Sequence, residues 1–124
     1  MKTLLSAHIT GKGDVTNKRN TVSLRAWLVN NRYEFEPCVG VYKGKAETSF
    51  LVKCHGPALD ALIAKAWAMK QECILTMKDN GENATMIYPD AIPNSLGKFK
   101  QVFRHVATAQ DSYTILHGRF YIAG

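Results

Sequence analysis

The chain has 124 residues, of which 46% are hydrophobic and 21% are charged, and its formal net charge is +6. This length suits one domain with one core, and the apolar content excludes a disordered chain. The three cysteines stand at long spacings, which excludes a closed disulfide framework and predicts reduced, buried thiols. We therefore expect a single cytoplasmic domain over residues 1–124, without a secretory signal or a membrane span.

The N-terminal half predicts a strand, a helix and a hairpin in succession. Residues 3–10 alternate apolar and polar side chains, as a half-buried strand does. Leu24, Trp27 and Leu28 then recur at helical spacing in a segment that begins near Thr16. Two stretches rich in strand formers follow, residues 35–42 and 48–54, with a short polar turn between them. Pro37 favours an edge position or a bulge in the first of these strands.

The next segments predict a second helix and more strands. Residues 57–69 begin with a proline, which the first helical turn tolerates, and carry an apolar stripe over about three turns. Residues 73–77 and 84–88 predict strands joined by a tight turn. From Pro89 to His105 the pattern favours an exposed loop or a short helix, and residues 113–122 predict a strand pair.

The order strand, helix, strand, strand, helix, strand is that of the ferredoxin-like βαββαβ motif. We therefore predict an α+β fold in which an antiparallel sheet carries two helices on one face. The strands near the C-terminus would form a β extension of this sheet.

The sequence carries no common phosphate-binding, zinc-protease or serine-nucleophile motif. Its histidines are scattered, so no metal site is expected. The predicted hairpin is more informative, because its turn brings the phenol of Tyr42 and the carboxylate of Glu47 to the same end of the sheet. Either a small polar site or an ordinary exposed turn would fit this pattern.

Several short segments, taken together, resemble the phage-encoded S-adenosylmethionine lyases, formerly described as hydrolases. The resemblance covers about two-thirds of the chain and depends on the order and spacing of its parts. These parts are Ser6-Ala7-His8 followed by Asp14, Val22 to Ala26, Tyr42 after a glycine-containing strand, Glu47 seven residues before Cys54, Gln71 to Leu75, and Ala84 with Tyr88.

The resemblance implies an enzyme of a phage-infected bacterium that removes the methyl donor needed by host restriction and modification. It implies a homotrimer similar to the PII signalling proteins, with the substrate between subunits. The substrate's own carboxylate would displace its sulfonium, giving 5′-methylthioadenosine and homoserine lactone without a cofactor. Glu47 and Tyr42 would be the catalytic pair, and Tyr88 and Phe50 would bind the adenine, although Phe50 also suits a core position.

Two other functions remain open at this point. A PII-like trimeric module would bind a nucleotide or metabolite without cleaving it, but the short turn between residues 42 and 47 does not favour such a sensor. An RNA-binding domain would suit the basic charge. Such domains display stacked aromatics on central strands, and residues 48–54 offer only Phe50, so nucleic acid is an unlikely partner.

Overall fold

The computed structural model describes all residues from Met1 to Gly124. Three helices are present: α1 (Asp14–Asn30), α2 (Pro57–Ala68) and α3 (Arg104–Thr108). The nine strands are β1 (Lys2–Ser6), β2 (Glu34–Tyr42), β3 (Lys45–Lys53), β4 (Ile74–Met77), β5 (Ala84–Ile87), β6 (Asn94–Gly97), β7 (Phe99–Val102), β8 (Ser112–Leu116) and β9 (Arg119–Ala123). None of the helices combines the length and hydrophobicity that a membrane span requires.

All nine strands form one antiparallel sheet, in the order β6-β5-β4-β1-β3-β2-β8-β9-β7. Only Lys98 separates the two edge strands, β6 and β7, along the chain, so the sheet curls until its edges lie near each other. The amide of Gly124 donates a hydrogen bond to the Lys98 carbonyl at 3.0 Å, and the amide of Phe99 donates to the Gly81 carbonyl at 2.8 Å. The sheet is therefore a nearly closed barrel.

The two faces of this sheet are covered by different parts of the chain. On the outer face, α1 and α2 pack onto residues such as Phe50 and Val52 and form the larger core. The inner face has its own cluster, to which β2, β3, β4, β5 and β8 all contribute. Its buried members are Cys38, Leu51, Leu75, Met77, Ala84 and Leu116.

The predicted ferredoxin-like fold, with two helices on one face of the sheet and a β extension, is therefore wrong. The sheet has nine strands and curls into a barrel, and there are three helices. The physical reason lies on the inner face, where Leu51, Leu75 and Leu116 would be exposed in an open sheet. The C-terminal third supplies the strands that enclose these side chains.

Individual elements lie close to their predicted positions in the first 88 residues. Both longer helices are present, and the hairpin turn is shorter than predicted, because β3 begins at Lys45 and not at Thr48. The main difference at this level lies after Pro89, where β6 and β7 occupy a segment predicted to be a loop or a short helix. Pro37 lies on β2 just before the part of that strand that pairs with β8, so its missing N–H interrupts no ladder there.

Candidate active site

The β2–β3 hairpin brings Tyr42 and Glu47 together on the inner face of the sheet. Its turn consists of Lys43 and Gly44, whose φ angles are +49° and +79°, as a type I′ turn requires. The register pairs Gly40 with Glu47 and Tyr42 with Lys45. Tyr42 and Glu47 are therefore diagonal cross-strand neighbours on one face, within reach of a common small molecule.

The Glu47 side chain is half-buried, with 34% of its surface exposed. Its one ion-pair partner is His8, whose Nδ1 lies 3.5 Å from the Glu47 Oε2. Gly40 lies opposite Glu47, and the position has no room for a larger residue. A Cβ at Gly40 would lie only 2.8 Å from the Ser49 Oγ and 3.9 Å from the Glu47 Cγ. The φ angle of Gly40 is not positive, so space and not backbone conformation is the reason for a glycine at this position.

The segment that carries His8 is fixed by side chains from three parts of the chain. The His8 amide donates a hydrogen bond to the Ser6 Oγ at 2.9 Å, and the Ile9 amide donates to the Asn17 Oδ1 at 2.9 Å. The Gln71 Nε2 donates to the His8 carbonyl at 3.0 Å. Since β1 ends at Ser6, these bonds replace the sheet ladder as the constraint on the backbone at His8.

Cys73 and Tyr88 lie at the β4–β5 side of the sheet, Cys73 just before β4 and Tyr88 just after β5. Burial raises the pKa of the Cys73 thiol, and the nearby carboxylates of Glu72 and Glu47 raise it further. This effect indicates that Cys73 is close enough to Glu47 to sense its charge. Tyr88 follows β5 directly and is half-buried. It shares a strand face with Ala84, which belongs to the inner cluster.

Phe50 lies on the other side of the sheet from this site. It is 1% exposed, belongs to the outer core beneath the helices and makes an edge-on contact with Phe35. Because successive side chains of a strand point to opposite faces, Phe50 and Glu47 are separated by the sheet itself. Of the four residues named from the sequence, three therefore border the inner face and one does not.

The two main cavities lie at the other end of the sheet. One has a volume of about 130 Å³ and is lined by residues such as Lys2, Asp79 and Tyr121. The other is an open cleft of about 420 Å³ that Glu34, Glu36 and Lys53 border. Neither is lined by Glu47 or Tyr42, and Tyr42 is 59% exposed. In a single chain, the Tyr42 side of the Glu47 region is therefore open to solvent.

A half-buried carboxylate beside a tyrosine is a site that suits a small organic cation. Comparison with known families identifies the class of enzyme: the sequence model of the S-adenosylmethionine lyase family matches residues 3–124. The chain belongs to the S-adenosylmethionine lyase family, as the resemblance predicted, and is a lyase that acts on S-adenosylmethionine. A search of curated proteins gives no match.

The sequence interpretation did not single out His8 or Gly40 as neighbours of Glu47. A lone histidine after a strand carries no metal or catalytic spacing, and a lone glycine in a strand suggests a bulge as readily as a close approach. One signal was present, since Ser6 and His8 are two residues apart and so share a strand face with apolar Leu4. The pairing of that face with Glu47 depends on the strand order, which no short motif reveals.

Proposed function

We propose that this lyase converts S-adenosylmethionine to 5′-methylthioadenosine and L-homoserine lactone by an internal displacement. A carboxylate oxygen of the substrate forms a bond to its own Cγ while the bond between Cγ and sulfur breaks. The electron pair of that bond stays on sulfur, which becomes a neutral thioether. No proton, water or cofactor takes part, because the nucleophile is tethered to an already activated leaving group.

In this proposal Glu47 holds the positive end of the substrate, either its ammonium or its sulfonium group. Tyr42 fixes the folded conformer through its hydroxyl or its ring face. Tyr88 borders the adenine. We leave Phe50 out of the binding site, because it is enclosed in the core on the other face of the sheet.

The observation that carries this proposal is the position of Glu47 itself. Its carboxylate is half-buried on the inner face, lies diagonally across from Tyr42 and has only a histidine as an ion-pair partner. A carboxylate of this kind can exchange its weak partner for a substrate cation. Nucleophilic catalysis by the protein is not needed, and the thiols of Cys38 and Cys73 both have raised pKa values that disfavour the thiolate.

We further propose that the chain acts as a homotrimer with the site between subunits. Tyr42 is largely exposed, whereas a folded substrate that reacts with its own carboxylate must be shielded from water. A neighbouring subunit would supply that cover. Native mass spectrometry measures this directly, since a trimer has three times the 13.8 kDa mass of one chain. In a phage-infected cell, such an enzyme would deplete the methyl donor of host restriction and modification.

Product analysis in isotopically labelled water tests the reaction. Purified protein would be incubated with S-adenosylmethionine in H₂¹⁸O. The products would be separated by chromatography, and the masses of the products and their fragments would be measured by mass spectrometry. Internal displacement predicts unlabelled lactone, and any homoserine formed from it later carries ¹⁸O in its carboxyl group. Label in the homoserine hydroxyl would instead mean direct attack by water, and would sink the proposed mechanism.

The alternative of a binding module without catalysis finds less support. The turn between β2 and β3 has only two residues, so the long mobile loop of a PII-type sensor is missing here. Recovery of intact S-adenosylmethionine after incubation with the purified trimer, together with measurable binding, would favour this alternative over cleavage.

A further inference from the structure

The contact between His8 and Glu47 places a basic side chain beside the carboxylate that is proposed to bind the substrate. The imidazole and carboxylate atoms are 3.5 Å apart, and their side chains are 27% and 34% exposed. A protonated His8 would neutralise Glu47 and repel a second positive charge, whereas a neutral His8 would leave the carboxylate free. The substrate cation proposed to bind Glu47 would therefore meet a different site in each state.

The backbone of His8 is held beside this contact. It is anchored by Ser6, Gln71 and, through the next residue, Asn17. These anchors lie on β1, α1 and the segment between α2 and β4, and none of them uses the imidazole. The Cα of His8 is therefore fixed near the carboxylate without engaging either ring nitrogen.

We propose that His8 is a positioning residue that makes substrate binding at Glu47 dependent on pH. This inference rests on the proposed role of Glu47 and deepens it. The protonated imidazole occupies the carboxylate and raises the KM for S-adenosylmethionine. Loss of that proton releases the carboxylate, so kcat/KM rises with pH while kcat changes little.

Other charged or titratable groups near the contact do not produce the same dependence. Glu72 and Cys73 lie just before β4, and α1 contributes the uncharged Asn17. Tyr42 and Lys45 form a cross-strand pair on the same face as Glu47, and a lysine stays charged over the range in which histidines change charge. Burial and the neighbouring carboxylates raise the pKa of Cys73, which keeps its thiol neutral across the range in which histidines titrate. His8 is thus the one group here that changes between neutral and cationic forms.

The test compares pH profiles of kcat/KM between about pH 5 and pH 8, the range in which histidines change charge. For the wild-type enzyme we expect a rise of about two- to fivefold, the effect of a partly exposed charge pair. His8→Gln removes the titrating group and should give a low KM with a flat profile. His8→Lys keeps a positive charge and should hold the KM high at every pH.

His117→Gln is the matched control, because His117 forms a similar pair with Glu36 away from Tyr42 and Glu47. This control should keep the wild-type profile, and melting temperatures would verify that each variant folds. A purely structural His8 would lower activity equally in both His8 variants and leave the slope unchanged, which overturns the inference. Full activity in Glu47→Gln would contradict the proposed role of Glu47, and with it the inference about His8. A wild-type enzyme without turnover at any pH would overturn both the proposed reaction and this inference.

Discussion

Two histidine–carboxylate pairs lie along the inner face of the sheet, and they differ in surroundings more than in distance. At one end, His117 and Glu36 are 3.2 Å apart, but their side chains are 69% and 53% exposed. At the other end, His8 and Glu47 are 3.5 Å apart and only 27% and 34% exposed. Solvent screens the shorter pair more strongly, so the longer contact is the one with more influence on a bound ligand.

The neighbours of the two carboxylates sharpen this contrast. Glu47 has a glycine opposite it, a serine beside it and an anchored loop that presents its histidine. Glu36 lies opposite Leu51 and borders an open cleft. The same pair of residue types is therefore a candidate site at one end of the strands and a surface contact at the other.

The largest expected effect comes from removing each carboxylate in turn. Glu47→Gln should lower kcat/KM about ten- to a hundredfold, because a hydrogen-bonded charge contributes roughly 1.5 to 3 kcal/mol. Glu36→Gln should leave kcat/KM within about twofold, the effect expected of a solvent-exposed pair. Steady-state kinetics with product detection measures both. Equal losses in the two variants would contradict the distinction between the two ends.

A smaller effect is expected from filling the space opposite Glu47. In Gly40→Ala, the new Cβ would press on the Ser49 Oγ, which must leave its rotamer and disturb the adjacent Glu47. We expect a loss of about fivefold in kcat/KM because Glu47 is displaced from the substrate. A side-chain strain of about 1 kcal/mol should also lower the melting temperature by a few degrees.

The double variant Gly40→Ala with Ser49→Ala provides the check, since it removes the hydroxyl that the methyl group meets. Activity should recover toward that of Ser49→Ala alone. Gly13→Ala is the control, because a Cβ there has nothing within 4 Å. An activity loss in Gly40→Ala that persists in the double variant would show that the contact with Ser49 is not its cause.

The same comparison explains what could be predicted from the sequence. The shared face of Tyr42 and Glu47 could be predicted because a hairpin is local: a polar turn between two strand-forming runs fixes the register of their side chains. The family resemblance, now confirmed, also depended on local segments. His8 and Gln71 meet near Glu47 only because β1 lies between β3 and β4, and that order arises from distant contacts.

The prediction of the fold class was wrong for a related reason. Strands β6 and β7 have four residues each, include Gly97 and are largely exposed, so their local pattern resembles a loop. Their place is set by the apolar inner face that they help to enclose, and by Gly81, where a Cβ would overlap the Phe99 carbonyl. Short strands whose partners lie far away carry little signal of their own.

A weaker effect is expected at alkaline pH from Cys38, which lies between the two pairs. Burial, followed by the charge of Glu36, raises the pKa of its thiol to about 12 from 9.0. Because the folded pKa is raised, its contribution to stability is complete below pH 9.0 and is lost as pH rises toward about 12. The melting temperature of Cys38→Ala should therefore fall less steeply than that of the wild type over this window. Cys73→Ala should change the slope in the same direction, because burial also raises the pKa of that thiol. Identical slopes for the wild type and Cys38→Ala would count against this account.

The smallest effect should come from Asp79, at the same end as Glu36. The N-terminal ammonium lies 3.1 Å from its carboxylate, and their hydrogen bond lowers the pKa of Asp79.

A lowered pKa means that the stabilisation is present above the ordinary value of 3.8 and is lost as pH falls below it. Asp79→Asn should melt slightly lower than the wild type at neutral pH, and the difference should shrink as pH falls below 3.8. Thermal unfolding across this range measures it, with unchanged kcat/KM expected at neutral pH because Glu47 lies at the other end of the sheet. A difference in melting temperature that persisted in acid would mean that the side chain contributes through packing and not through its charge.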